Sequence, residues 1–274
     1  MLYIFLFLLS FVFNINAVEL HNPSYLYRLS KIKPQDYYVS EKYDGVRAYW
    51  DGSKLYTKNH KVIAVPPLIT KNWPKSCLDG ELWLGKNQLA NTVSIVNKTT
   101  NSNVKQWQKI KFMVFDQPCS DKTFADRYNL LKQQFVNIKA DNLFLIKQQE
   151  FSNIKEIDLF YNNLLKNKAE GIILHKKNSF LAKFDRHDLY KIKPFTEGSA
   201  VVLKVINGSK SFAEIMGSLL VKDQKTGMKF KIGIGFTKKE RINPPPLNSV
   251  IIYKHQGYTK NKKPRLPVFV ARKK

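Results

Sequence analysis

The texture of the chain changes at Lys193-Pro194. Before it, stretches rich in β-branched and aromatic residues read as strands: Tyr37–Val39, Val46–Trp50, Ile110–Phe115 and Gly171–His175. Between them, apolar residues recur at three- and four-residue steps over Ala125–Lys139 and Ile154–Lys168, the spacing of amphipathic helices. After it, Ala200–Ile206, Ser218–Lys222, Lys229–Ile232 and Ser249–His255 are short strand-like runs separated by Gly, Pro and Asn turns. Asn243-Pro-Pro-Pro246 reads as a rigid loop. The fold class expected is α+β, with antiparallel sheets and flanking helices, followed by a small five-stranded barrel. The expected domains are 18–195 and 196–274, and 274 residues suffice for two separate cores.

Charge narrows the partner. Forty-six Lys+Arg against 21 Asp+Glu leave the chain at +25, an excess suited to a polyanion, since each neutralised phosphate releases condensed counterions. Residues 196–274 carry 17 Lys+Arg and 4 Asp+Glu, so the second domain is more than twice as densely positive as the first. A basic barrel of this size fits the oligonucleotide-binding (OB) type. A long basic amphipathic helix is missing, which argues against a membrane-surface role.

Residues 1–13 form an apolar run broken only at Ser10, too short for a typical membrane span and fitting the h-region of a secretory signal, residues 1–17, with cleavage after Ala17; an uncleaved anchor is the alternative. Export to the periplasm is therefore expected, with no stable membrane partner after cleavage. Cys77 and Cys119 can pair in an oxidising compartment or remain as two buried thiols, and their spacing does not choose. The five histidines and two cysteines show no spacing typical of structural zinc.

The chemistry-bearing signal is Ser40-Glu-Lys-Tyr-Asp-Gly-Val-Arg47, a KxDGxR pattern between two apolar strand-like stretches. A lysine acts as a covalent nucleophile once its amine is deprotonated. A free lysine titrates at about 10.4, so nearby cations such as Arg47 or a metal must disfavour the ammonium. Four further segments follow in order: Leu78-Asp-Gly-Glu-Leu-Trp83, Phe112-Met-Val-Phe-Asp116, Ala169-Glu-Gly-Ile-Ile173 and Leu189-Tyr-Lys-Ile-Lys193. Each is a buried-looking strand with one or two polar residues at its edge.

In this order the segments resemble the covalent nucleotidyltransferase superfamily of DNA ligases, RNA ligases and mRNA capping enzymes. Gly217-Ser-Leu-Leu-Val221, Phe230-Lys-Ile-Gly-Ile-Gly-Phe236, Asn243-Pro-Pro-Pro246 and Pro264-Arg-Leu-Pro-Val-Phe269 are similar to the minimal periplasmic ATP-dependent DNA ligases, the Lig E type. The resemblance implies that Lys42 attacks the α-phosphate of ATP and carries AMP. It further implies that Arg47 contacts nucleotide or nick phosphate, Asp44 helps at the reacting 3′ end, Glu81 binds the ribose and Phe115 stacks on adenine. Glu170 would help hold Mg²⁺ (or Mn²⁺), and Lys191 and Lys193 would neutralise the α-phosphate as charge builds there. Arg265 and Arg272 fall in the terminal motif, which orients the leaving pyrophosphate. The implied partner is nicked double-stranded DNA, gripped by a monomer through its phosphates.

Two departures stand out. Where family members often carry Ser-Arg-x-Gly, this chain has Thr57-Lys-Asn-His60, so Lys58 offers a point charge and no guanidinium fork. A Gly-Ser-Gly-Phe pattern becomes Gly233-Ile-Gly-Phe236. The competing readings are an RNA ligase or GTP-using capping enzyme, and a non-catalytic basic DNA-binding protein. About 24 residues lie between the expected cleavage point and Lys42, too few for an added N-terminal DNA-binding domain.

Overall fold

The computed structural model describes residues 20–26, 29–98, 103–209, 213–259 and 261–273. The expected signal, residues 1–17, lies outside them. Among the described residues no helix is long and apolar enough to cross a membrane. The chain divides into two compact units, Met1–Ile192 and Lys193–Lys274, three residues before the expected boundary.

The first unit contains two sheets. The smaller has four strands in the order β1 (Ser24–Tyr25), β10 (Leu189–Ile192), β9 (Gly171–Lys176) and β2 (Tyr37–Lys42). The larger has six, ordered β5 (Val62–Ile63), β4 (Leu55–Thr57), β3 (Val46–Trp50), β6 (Leu78–Trp83), β7 (Lys111–Asp116) and β8 (Leu143–Leu145). Helices α1 (Pro67–Thr70), α2 (Leu89–Val96) and α3 (Val104–Trp107) belong to the larger sheet's side of the unit. Trp50, Trp73, Trp107, Leu78, Leu82 and Phe112 are buried together there. Such apolar burial supplies most of the stabilisation, at about 25 cal/mol per Å².

Helix α4 (Phe124–Phe135) starts where Thr123 accepts the Asp126 amide at 3.3 Å. Its Phe124 and Tyr128 pack with Tyr38 of β2, and Phe124 stacks on the buried His175 of β9. Burial holds His175 at about 3, so it packs as a neutral ring. Helix α5 (Ile154–Lys166) is capped by Asn153, which accepts the Glu156 amide at 3.1 Å. It buries Ile157 against Val39, Ile172 and Leu174 of the smaller sheet. Lys168 then adopts a positive φ of 59°, which stops the helix and turns the chain into β9 through Glu170.

Cys77 and Cys119 are joined in a disulfide with Cα atoms 6.0 Å apart. Cys77 immediately precedes β6 and Cys119 follows β7, so the bridge ties two adjacent strands of the larger sheet. Closing a loop over a sequence separation of 42 removes unfolded-chain entropy worth about 4 kcal/mol.

The second unit is a five-stranded sheet ordered β13 (Lys229–Ile232), β12 (Met216–Asp223), β11 (Thr196–Asn207), β14 (Val250–His255) and β15 (Val268–Arg272), with α6 (Lys238–Ile242) inserted before β14. These are the five strands expected of the small barrel, and they curl without closing fully. The edges of the sheet meet at one bridge, Ile234 with Val268, where the Phe269 amide donates to the Ile234 carbonyl at 2.9 Å. Strand β13 ends at Ile232, two residues short of that bridge. The following Gly235 has φ 98° and lies so close to β15 that a Cβ would sit 2.4 Å from the Phe269 carbonyl oxygen. Alternate residues Phe230, Ile232, Leu219, Val221, Ile251 and Tyr253 fill the interior. The buried Tyr253 hydroxyl donates to Asp223 at 2.6 Å.

Candidate active site

Lys42 ends β2 and Val46 begins β3, so residues 43–45 carry the chain from the smaller sheet to the larger one. This crossing is tight for a physical reason. A Cβ on Gly45 would stand 2.1 Å from the Leu82 carbonyl oxygen of β6, so no larger residue fits. The Gly45 amide donates to Glu81 Oε1 at 3.2 Å, which anchors the turn to β6. Gly80 obeys the same constraint, its would-be Cβ lying 2.6 Å from the Met113 carbonyl oxygen of β7. Both motif glycines are therefore places where backbones approach closely.

The Lys42 ammonium donates to Glu170 Oε2 at 2.5 Å and lies 3.4 Å from the Tyr43 carbonyl oxygen. The partners are part-buried, their side chains 19% and 17% exposed, so the pair is shielded and still reachable from solvent. Glu170 immediately precedes Gly171, which pairs with Lys42 across the β2–β9 ladder. Tyr43 packs edge-on against Trp83, and burial, then Glu41, pushes its phenol up to about 12.

Arg47 stands opposite Glu81 in the β3–β6 ladder. Its Nε and Nη2 donate to the two Asp79 oxygens at 3.0 and 2.6 Å, a forked geometry that fixes the guanidinium plane. Its Nη1 donates to the His21 carbonyl at 2.6 Å. Phe115 is the extra residue of a β-bulge, because Asp79 pairs with Asp116 while Gly80 pairs with Val114. The bulge turns its ring to within 5.4 Å of the Arg47 guanidinium carbon. Asp116, next in the chain, accepts from Arg127 of α4 at 2.7 and 2.8 Å in a buried ion pair. Burial drives the Glu81 carboxyl up to about 7 despite the opposing pull of Lys42, Arg47 and the Gly45 amide. A carboxyl near 7 is divided between its protonated and ionised forms at neutral pH.

Lys191 lies in β10 opposite Ile173, which in turn faces Ser40 of β2, two residues before Lys42. That register puts Lys191 and Lys42 on one face of the smaller sheet. The Lys191 ammonium sits 4.1 Å from the Tyr25 ring centroid. Asp44 is part-buried in the turn after Lys42.

Of the residues expected from sequence, the first unit brings together Lys42, Asp44, Arg47, Glu81, Phe115, Glu170 and Lys191. Lys58 is exposed in the turn after β4, at the end of the sheet where Arg47 enters β3. Lys193 opens the second unit, directly after β10. Arg265 is exposed on the segment before β15, and Arg272 is exposed near the end of β15, its guanidinium donating to the Asn243 carbonyl. Sequence reasoning gave no role to His21, Tyr25, Asp79 or Arg127. Asp79 was discoverable, being inside the Asp-Gly-Glu motif. His21 acts through its backbone carbonyl and leaves no mark in a residue pattern.

Residues 19–193 match the family described as "ATP dependent DNA ligase domain", and residues 207–272 match "DNA ligase OB-like domain". The chain is 30% identical over 236 residues to a protein named DNA ligase from Haemophilus influenzae, covering 86% of each. A solved structure described as "DNA binding with a minimal scaffold: Structure-function analysis of Lig E DNA ligases" superimposes with a TM-score of 0.62 at 35% identity, covering 93% of this chain and 100% of that one. Chlorella virus DNA ligase-adenylate shares the fold, with a TM-score of 0.51 at 21% identity over 92% of this chain and 97% of that one. This chain belongs to the ATP-dependent DNA ligases, as a minimal enzyme of the Lig E type.

Proposed function

We propose that the protein seals nicks in duplex DNA with Lys42 as the residue that carries AMP. The observation that supports this most directly is the Lys42–Glu170 contact of 2.5 Å at the crossing between the sheets. In the first step Lys42 Nζ, having lost a proton, bonds to the α-phosphorus of ATP, and the bond to pyrophosphate breaks. In the second, the 5′-phosphate of the nick takes the AMP and the phosphorus–nitrogen bond breaks. In the third, the 3′-hydroxyl attacks the adenylated phosphate and AMP leaves. Arg47, held in plane by Asp79, presents fixed positive charge to phosphate, and Lys191 adds a second cation on the face shared with Lys42. Such preorganised charge is the main protein contribution to nucleotidyl transfer. Glu81 meets the ribose and Phe115 the base.

Among the described residues no group of three or more His, Cys, Asp or Glu side chains is placed to hold a metal ion. A single carboxylate, Glu170, suits Mg²⁺, which keeps several waters and binds through one or two carboxylates plus substrate phosphates. That ion would neutralise charge on the phosphates. Lys193, Arg265 and Arg272 of the second unit would meet triphosphate or nick, and Lys58 the nick phosphates. We assign the protein to the periplasm on the apolar run of residues 1–13 and on the Cys77–Cys119 disulfide, a bond of oxidising compartments. Fractionation that finds the chain only in the cytoplasm would contradict this.

Intact-mass measurement after incubation with ATP and Mg²⁺ tests the central step. The expected result is one added AMP on the parent and none on Lys42→Ala, with nick joining lost in parallel. Joining that persists in the variant would reject Lys42. Labelling from GTP in place of ATP would reject the nucleotide.

A further inference from the structure

We propose that residues 21–26 form a strap that positions two phosphate-facing cations, Arg47 and Lys191, and that Tyr25 is a positioning residue for nucleotide transfer to Lys42. The proposal rests on the roles given above to Arg47 and Lys191.

The strap touches both cations with separate groups. At its start, the His21 carbonyl accepts Arg47 Nη1 at 2.6 Å. Asp79 holds the opposite edge of the same guanidinium, so the plane is fixed from two sides. His21 is itself pinned. Its ring lies 3.9 Å from that of Phe184 at an interplanar angle of 3°, and its Nε2 is 3.1 Å from the Leu181 carbonyl oxygen. At the far end, Ser24 and Tyr25 pair in parallel with Tyr190 and Lys191, and the Leu26 amide donates to the Lys191 carbonyl at 3.1 Å. The Tyr25 ring faces the Lys191 ammonium at 4.1 Å. Lys191 is thus held at its backbone by the ladder and at its charge by an aromatic face.

A two-residue edge strand contributes little to sheet stability by itself. Its placement matters because a lysine carries four rotatable bonds, and an ammonium spread over many rotamers meets a phosphate only part of the time. An aromatic face narrows that spread without neutralising the charge, which a carboxylate partner would do. Tyr25 therefore orders Lys191 without itself neutralising the ammonium.

The test compares the parent with Tyr25→Leu, Tyr25→Phe and Tyr25→Trp. Lysyl-AMP formation is followed by intact mass over a range of ATP concentrations, and each protein's melting temperature is recorded. Tyr25→Leu should raise the half-saturating ATP concentration or slow AMP transfer by roughly three- to tenfold, while the ring-bearing Phe and Trp variants stay within about twofold of the parent. AMP transfer should follow the presence of the ring and not the melting temperature. If Tyr25→Leu matches the parent, or if activity in the series follows melting temperature, the strap proposal is overturned and the Lys42 reading stands. A parent that never acquires AMP would overturn the Lys42 reading first, and the strap's role with it.

Discussion

At Glu81, function and stability pull in opposite directions. Burial beside Gly45 raises its carboxyl to about 7, well above the ordinary glutamate value of about 4.3. The folded protein therefore holds this proton more tightly than the unfolded chain. The associated stability is fully present below about pH 4.3 and is lost as pH rises to about 7. Glu81→Gln removes the titration, so at pH 8 it should stabilise the fold by roughly 1–3 kcal/mol, with the gain vanishing near pH 4. The same substitution should slow AMP transfer to Lys42. Denaturant melts of parent and variant at the two pH values check the sign, and a gain independent of pH would contradict it. Arg47 is the contrasting case, a guanidinium locked by Asp79 and the His21 carbonyl and so ready for phosphate without reorganisation.

Strands β6 and β7 carry much of the site, and besides apolar packing a buried ion pair ties β7 to α4. Arg127 of α4 is fully buried and holds both oxygens of Asp116, which stands beside Asp79 in the ladder. Removing one partner strands a charge in the interior, whereas replacing both with apolar residues does not. Arg127→Ala should therefore destabilise by about 3–5 kcal/mol, and a double variant with Asp116→Leu and Arg127→Leu should recover part of that loss. Denaturant unfolding of the parent, Asp116→Leu, Arg127→Leu and the double variant gives the cycle, and additive losses would show that the pair is not coupled. Element limits were legible where turn residues flank them. Val46–Trp50 and Lys229–Ile232 have the ends expected from sequence. The two helices were expected to run to Lys139 and Lys168 but end at Phe135 and Lys166. In α4 the apolar recurrence continues through Ile138, which reaches the core from outside the helix. In α5 the positive φ of Lys168 closes the last turn.

Each unit has its own core, and the charge is concentrated on the second. Lys222 and Lys229 face each other directly across β12 and β13, while Lys231 and Lys204 flank Leu220 two pairs further along. All four are exposed. Like charges set opposite one another weaken a sheet, so the arrangement favours a polyanion that screens them. Binding to a nicked duplex should weaken by about a hundredfold between 50 and 200 mM salt if these four side chains meet phosphates. Lys222→Ala with Lys229→Ala should flatten the log–log salt slope by about two units, and titrations that show no change of slope would remove this face from the DNA grip.

The α+β texture and the all-β second unit were readable in the chain because each depends on local periodicity, and the order of the motifs that contain Lys42, Glu81, Glu170 and Lys191 was enough to point to the ligase family. Tertiary structure decided what local order cannot encode. It paired Cys77 with Cys119, aimed Phe115 through a bulge, left the five-stranded sheet joined at one bridge, and brought the His21 carbonyl to Arg47. These features arise from the mutual approach of backbones distant in sequence, and a carbonyl or an interstrand register has no side-chain signature to read beforehand.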